Sequence, residues 1–311
     1  MIRKLMDHIY EIKLPSVYNA DVNCYLIEHE TSYMLIDTGE NNEETKAFWG
    51  DLIPTLHKPI SHILLTHIHT DHAGCCHFLR QHAAVKKIIA STKSEEKLAT
   101  MKNSPKNVGL IETAKQYGYT YPYSPKHLLD EHESYNFEID ETFDDDEIIH
   151  IGSSLFQAIA TPGHSVDHFC FYEQKRKVLF AGDQLIQNFS PVLIVENNQF
   201  NPLKNYLHSL NKIKNFSCQL TVSGHGDIIA NTTDLIESLE MRHFKKLTQL
   251  KNALKQQPYL FDQIIQLFYK KDVTKPSPQI MQTLGYLNYL LEEGSLKIIN
   301  NETKITMQTI Q

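Results

Sequence analysis

The sequence contains no long hydrophobic run. No stretch approaches the ~18 uncharged apolar residues that a membrane-spanning helix needs, so we expect no membrane partner. The first fifteen residues carry Arg3, Lys4, Asp7, Glu11 and Lys13 at close intervals and have no apolar central region. We therefore expect no signal peptide.

Cysteine is scarce and follows no disulfide pattern. The five cysteines are Cys24, Cys75, Cys76, Cys170 and Cys218. Their number is odd, and their spacings fit neither a disulfide framework nor a CxxC pair. We interpret them as buried, reduced thiols of a cytoplasmic protein.

An excess of positive charge is also missing. Lys and Arg number 30 against 37 Asp and Glu, which gives a net charge of −7. This balance disfavours a protein that mainly binds nucleic-acid phosphates. With 41% apolar residues in 311, the chain has enough hydrophobic surface for about two domains of ~150 residues each. Histidine is abundant, at 17 residues.

Short apolar runs alternate with helical patterns in the first two thirds of the chain. A helical repeat of apolar residues covers 203–213. The order of strands and helices favours an α/β sandwich or an α+β core. Strands are predicted at 22–27, 33–36, 63–66, 155–161, 169–172, 178–181 and 221–223.

Residues 91–147 are interpreted as an insertion. This segment contains Tyr117, Tyr119, Tyr121 and Tyr123, with Pro122 and Pro125 among them, and it ends in an acidic stretch at 140–147. Two interpretations stay open. The segment is either a solvated loop or a lid whose tyrosines line a pocket.

The last third of the chain predicts three helices and a hairpin. Apolar stripes cover 235–254 and 260–268, and Ser277-Pro278 opens a third helix that ends at Gly294. Strands at 296–298 and 305–307 flank a turn at 300–301. This is the plan of a winged helix, so we expect one domain over 1–235 and a winged-helix-like domain over 236–311.

The string Thr-His-Ile-His-Thr-Asp-His follows a predicted strand directly. It places His67, His69, Asp71 and His72 within six residues. Protonated histidines so close together would repel each other, and unpaired polar groups beside a core strand are costly. A metal cation offsets both penalties, and imidazole with carboxylate suits zinc and its first-row neighbours. His67 and His69 alternate along extended backbone and therefore point the same way.

Three further polar residues follow later strands. His164, Asp183 and His225 each come after a glycine, which permits close approach of the backbone. Together with the first string they make five histidines and two aspartates at one edge of a sheet. Because one tetrahedral zinc takes four ligands, this number predicts two metal ions.

The order HxHxDH, GH, GD and GHG resembles the metallo-β-lactamase-fold hydrolases over about residues 8–230. The resemblance implies an αββα sandwich, and the C-terminal third resembles the small helical winged-helix appendage of one branch. It also implies a ligand set: His67, His69 and His164 for one metal, Asp71, His72 and His225 for the other, and Asp183 as the bridge.

Departures from relatives narrow this expectation. The true β-lactamases have Cys or Ser where this chain has Asp183, and the diiron members have Glu where it has His69. Two zinc ions and hydrolysis are therefore expected. His168 is left outside the ligand set, as either an orienting partner or a core histidine. Asp37 is expected to support the site or a turn.

The mechanism implied is attack by a metal-bridging hydroxide, with Asp71 carrying a proton. The leading hypothesis is cleavage of a small ester, thioester or lactone. The alternative is a metal-dependent endoribonuclease whose C-terminal domain holds RNA. From Glu240 onward ten basic and six acidic residues give a net charge of +4, but 277–291 contains no Lys or Arg. We therefore interpret the appendage as a packing or homodimer element. A non-enzymatic metal protein would need a missing ligand, and none is missing.

Overall fold

The fold is built on two β-sheets that pack face to face. The computed structural model describes residues 2–16, 21–103, 108–120, 132–197, 199–269, 277–301 and 304–310. Tyr121, Tyr123, Pro122 and Pro125, on which part of the insertion hypothesis depended, lie outside these ranges.

The first sheet has seven strands in chain order. Antiparallel pairing joins the first four strands, and parallel pairing joins the last four. The strands are β1 (Ile2–Met6), β2 (Ile9–Leu14), β3 (Val22–Glu28), β4 (Tyr33–Ile36), β5 (Ile60–Leu64), β6 (Lys87–Ser91) and β7 (Glu141–Phe143).

The second sheet has five strands in the order β12-β11-β10-β9-β8. All neighbours are antiparallel except β11 and β12, which run parallel. The strands are β8 (Ile148–Ile151), β9 (Ser154–Ala160), β10 (Phe169–Glu173), β11 (Val178–Phe180) and β12 (Leu220–Val222).

Helices cover the outer faces of both sheets. Several begin at polar caps: Asn201 and Asn231 each accept a hydrogen bond from a backbone N–H of the first turn. The helices are α1 (Glu43–Leu52), α2 (Thr70–Ala73), α3 (Cys76–His82), α4 (Thr92–Asn103), α5 (Val108–Gln116), α6 (Pro202–Ile213), α7 (Thr232–Gln256), α8 (Phe261–Tyr269) and α9 (Pro278–Glu292).

Three hydrophobic clusters define the layers. One lies between the sheets and joins residues such as Ile27 and Phe180. A second packs the first sheet against α1, α3 and α4, with Trp49 buried in it. The third packs the second sheet against α6–α9. This helix–sheet–sheet–helix order confirms the predicted αββα sandwich.

The C-terminal third contains three helices followed by a hairpin of β13 (Leu296–Asn301) and β14 (Lys304–Thr309). This is the order that the sequence predicted. The prediction of a turn at 300–301 was wrong, because Asn300 pairs with Ile305 and Asn301 with Lys304 within the hairpin ladder. Other predicted strands agree with the structure to within three residues at their ends.

The insertion tyrosines that the structure describes are core residues. Tyr117 is fully buried, and the Tyr119 ring lies 4.7 Å from that of Phe261. Neither a solvated loop nor a pocket lining describes these two side chains, because the hydrophobic cluster around α6–α9 extends to them. Within the described ranges, no helix combines the length and hydropathy needed to cross a membrane.

Candidate metal centre

The first four candidate ligands lie on a short connection between β5 and α3. The chain leaves β5 without helical structure and brings the His67 and His69 rings together, with Nε2 and Nδ1 3.0 Å apart. It then turns into the four-residue helix α2, which carries Asp71 and His72. The two pairs of candidate ligands therefore lie on backbone of different geometry.

The other three candidates follow strands of the second sheet. His164 comes after β9, Asp183 after β11 and His225 after β12. Strands β11 and β12 are parallel neighbours, so the residues that follow them reach the same edge of the sheet. The connections that follow these strands therefore bring the seven candidate side chains together at one edge of the two sheets.

The first donor set consists of His67, His69 and His164. His69 Nδ1 lies 2.9 Å from His164 Nε2 and 3.0 Å from His67 Nε2. Three imidazole nitrogens thus converge on one point. All three donor atoms lie within 4.8 Å of one another, a spacing suited to a shared cation.

The second donor set consists of Asp71, His72 and His225, again with all donor atoms within 4.8 Å. The Asp183 carboxylate lies between the two sets. Its Oδ1 is 3.3 Å from His72 Nε2, and its Oδ2 is 3.4 Å from both His164 Nε2 and His225 Nε2. The structure thus brings together all seven residues proposed from the sequence.

Two buried atoms at this centre show that the cluster fits a cation. His72 Nε2 and Asp183 Oδ1 are buried 3.3 Å apart, and neither atom has a well-formed hydrogen bond with any described residue. Such orphaned groups are costly unless something else coordinates them. A divalent ion between imidazole nitrogens and a carboxylate satisfies both atoms.

The pKa shifts at the centre run in opposite directions. Burial alone would lower the pKa of His72 and His225, but the carboxylates of Asp183 and Asp71 outweigh it, raising the pKa of His72 well above its ordinary value and that of His225 to about 10. Burial lowers the pKa of His67 well below its ordinary value, and the nearby His72 lowers it further, so the His67 ring stays neutral. Burial alone would raise the pKa of Asp183, but His225 and His72 hold it well below its ordinary value. For Asp71, His72 and His225 outweigh burial and lower the pKa to about 2.

Hydrogen bonds at the far ring nitrogens orient most of the histidines. His72 Nδ1 donates to Asp37 Oδ2 at 2.8 Å, His164 Nδ1 to the Val192 carbonyl at 2.7 Å, and His225 Nδ1 to the Asp21 carbonyl at 3.0 Å. In the neutral ring, each such bond leaves Nε2 as the lone pair that faces the cluster. This is the arrangement that histidine ligands of metals generally show.

Asp37 and His168 support the ligands from behind. Asp37 has a φ of 57°, and its carboxylate also accepts from the Thr66 N–H at 2.9 Å. His168 Nε2 accepts from the Asp183 N–H at 3.0 Å. Of the two interpretations left open for His168, the orienting one describes this contact.

The sequence analysis missed a buried polar cluster beside the first donor set. Lys97, Asp167 and Glu196 form ion pairs there, with Ser94 and Ser165 between them. Asp167 stands in the same Gly-His-Ser-Val-Asp-His string as His164. Asp167 stands three residues after the candidate ligand His164, and this spacing was the sequence signal that could have indicated the cluster.

Comparisons with known proteins agree with this architecture. Residues 18–225 match the sequence model of the Metallo-beta-lactamase superfamily. A metallo-beta-lactamase family protein of Thermus thermophilus superposes with a TM-score of 0.83 at 21% identity, over 99% of this chain and all of the other. At that identity the likeness shows the fold.

Two curated relatives match most of the chain. A "Beta-lactamase-like protein 2 homolog" of Caenorhabditis elegans is 24% identical over 75% of this chain and 65% of its own length. An "Atrochrysone carboxyl ACP thioesterase" of Aspergillus fumigatus is 24% identical over 75% of this chain and 59% of its own. The chain thus spans about three fifths of these relatives. It belongs to the metallo-β-lactamase superfamily, as the sequence motifs predicted.

Proposed function

We propose that this chain is a metal-dependent hydrolase with a binuclear centre, and that its substrates are small esters, thioesters or lactones. His67, His69 and His164 would hold one divalent ion, and Asp71, His72 and His225 the other. Asp183 would bridge the two ions. Zinc is the metal that this mixture of imidazole and carboxylate donors suits.

The position of Asp183 carries this proposal. Its carboxylate contacts both donor sets. Oδ1 lies 3.3 Å from His72 Nε2 of the second set, and Oδ2 lies 3.4 Å from His164 Nε2 of the first set and from His225 Nε2 of the second. A residue serving a single ion would have no reason to contact both sets. Seven donors also exceed what one four-coordinate zinc takes.

When bound, two divalent ions would supply Lewis acidity and water with a pKa lowered toward neutrality. The chain's own residues supply geometry and proton handling. Asp71 is the more exposed of the two central carboxylates, at 13% of its side chain against 6% for Asp183. We assign to the Asp71 carboxylate the transfer of a proton between the site and solvent.

Two observations support the proposed substrate class. The thioesterase name of the Aspergillus relative indicates an acyl thioester as a first candidate. Helix α9, which would be the reading helix of a winged helix, is instead packed inward: Ile280, Leu284 and Leu287 are fully buried. Its Glu292 also accepts a hydrogen bond from Asn201. These contacts support a packing role for the proposed domain 236–311 rather than an RNA grip.

The test is a mixed panel of acyl thioesters, lactones and single-stranded RNA, incubated with zinc-loaded protein. Mass spectrometry of the products, beside a chelator-treated control, is the readout. Metal-dependent loss of a thioester or lactone is the expected result. Fragmentation of RNA alone would overturn the substrate class, and turnover that survives chelation would overturn the metal dependence.

A further inference from the structure

A buried ionic cluster joins three parts of the chain next to the first donor set. Lys97 comes from α4, Asp167 from the loop after β9, and Glu196 from the segment before α6. The side chains of Lys97 and Asp167 are 8% and 0% exposed, and that of Glu196 is 16% exposed. Charged groups this deep are found almost only when paired.

Lys97 is fully engaged within the cluster. Its Nζ donates to Asp167 Oδ1 and to Glu196 Oε1, both at 2.9 Å, and to Ser165 Oγ. One ammonium thus serves two carboxylates, and the cluster keeps a net charge of one negative. Each carboxylate would be a costly buried anion without this cation.

The carboxylates hold the backbone of the candidate ligand loops. Asp167 Oδ2 accepts from the Ile68 N–H at 2.9 Å, and Ile68 stands between His67 and His69. Glu196 Oε1 accepts from the Val166 N–H at 3.1 Å, two residues after His164. The cluster therefore acts on both chain segments that supply the first donor set, and these hydrogen bonds reach no residue of the second set.

We propose that Lys97, Asp167 and Glu196 are positioning residues that fix His69 and His164 for the first metal ion. This rests on the proposed metal centre. The cluster makes affinity at that site depend on α4, which belongs to the insertion. Loss of Lys97 leaves two carboxylates facing each other without a cation, and their repulsion displaces the two loops.

The first experiment compares zinc binding by Lys97→Met and wild-type protein, using competition with a chromophoric chelator. We expect affinity at one of the two sites to fall by about 10-fold or more, with the other site retained. In steady-state hydrolysis of the substrate identified for the wild type, kcat should fall while KM stays nearly constant. Lys93→Met is the matched control, since Lys93 lies exposed on the same helix and pairs with exposed Glu96.

A double variant separates positioning from simple packing. Lys97→Met with Glu196→Gln removes one charge of each sign and restores the net charge of the wild-type cluster. We expect it to bind the first metal more tightly than Lys97→Met does. A role in packing alone predicts that the second substitution brings no improvement.

The outcomes distinguish this inference from the proposed function. If wild-type protein holds no zinc pair, the proposed function fails first. If the wild type binds two ions and Lys97→Met binds them with unchanged affinity and kcat, only the inference fails. Should Lys97→Met not fold by circular dichroism, Glu196→Gln carries the test. It is expected to weaken one site about threefold or more, and unchanged affinity would overturn the inference.

Discussion

At the residue scale, the candidate centre depends on a glycine that leaves room for two of its candidate ligands. Gly224 stands between Ser223 and His225, and a Cβ at this position would collide with Asp183 Oδ1 and come within 2.7 Å of His72 Cε1. The absence of a side chain at Gly224 thus leaves room for the proposed bridge. The sequence analysis expected glycines at this edge to permit close approach of the backbone. Gly224 does so against Asp183 and His72.

Substitution Gly224→Ala should therefore weaken zinc binding, by about 10-fold or more, because the methyl group displaces Asp183. Isothermal titration calorimetry on metal-free protein measures this. Gly50→Ala is the matched control: Gly50 lies in α1, and a methyl group added there would meet no atom within 4 Å. That variant should bind zinc normally and gain up to about 1 kcal/mol of stability. Equal zinc affinity in both variants would contradict the steric account.

At the scale of elements, a buried histidine connects three helices. His243 of α7 is fully buried, and its Nδ1 lies 2.9 Å from the Tyr286 hydroxyl of α9. Its ring meets that of Tyr206 from α6 at 5.2 Å. Burial lowers the pKa of His243 from 6.5 to about 4, and Arg242 contributes in the same direction. The helix junction therefore holds a neutral imidazole.

This pKa predicts the pH dependence of stability. The unfolded chain takes up a proton at His243 near pH 6.5 and the folded chain only near 4. Stability is therefore complete above pH 6.5 and is lost as the pH falls toward 4, by about 3 kcal/mol in total. Urea unfolding of wild type and His243→Gln at matched metal content measures this. Curves of equal slope between pH 6.5 and 4 would contradict the assignment.

Most elements were predictable, and the exceptions have physical causes. Fully buried strands such as β4 and β11 form unbroken apolar runs, which the sequence displays directly. Strands β1, β2, β6, β7 and β8 were not predicted, because polar residues interrupt or bound their short apolar runs. The seven candidate ligands stand after strands in the sequence, so their convergence was predictable from spacing. The Lys97 cluster was not, because Lys97 and Glu196 lie 99 positions apart and only folding joins them.

At the scale of the whole molecule, one hydrophobic cluster passes from the second sheet to the C-terminal hairpin. It includes Leu179 of β11, Tyr117 of the insertion, Phe261 of α8 and Met307 of β14. The proposed domain boundary near residue 235 therefore marks a change in sequence pattern, but the apolar core is continuous across it. Because the core is shared, we expect both parts to unfold together.

Substitution Phe261→Ala tests this coupling. The ring is 2% exposed and lies 4.7 Å from that of Tyr119, so its removal should cost about 3–5 kcal/mol. Differential scanning calorimetry should show one transition, shifted as a whole to lower temperature. Leu267→Ala, at a position 51% exposed on the same helix, should change stability by less than about 0.5 kcal/mol. Two transitions, with only one of them shifted, would indicate independent domains.

The central claim is that seven side chains hold two metal ions bridged by Asp183. The most direct measurement is the zinc content of metal-free protein titrated to saturation, for wild type, Asp183→Ala and the control Asp7→Ala, whose side chain is 87% exposed. The account predicts two zinc ions per chain for wild type and control. For Asp183→Ala it predicts loss of tight binding of the second ion with the fold retained by circular dichroism. One ion in the wild type, or two equally tight ions in Asp183→Ala, would contradict it.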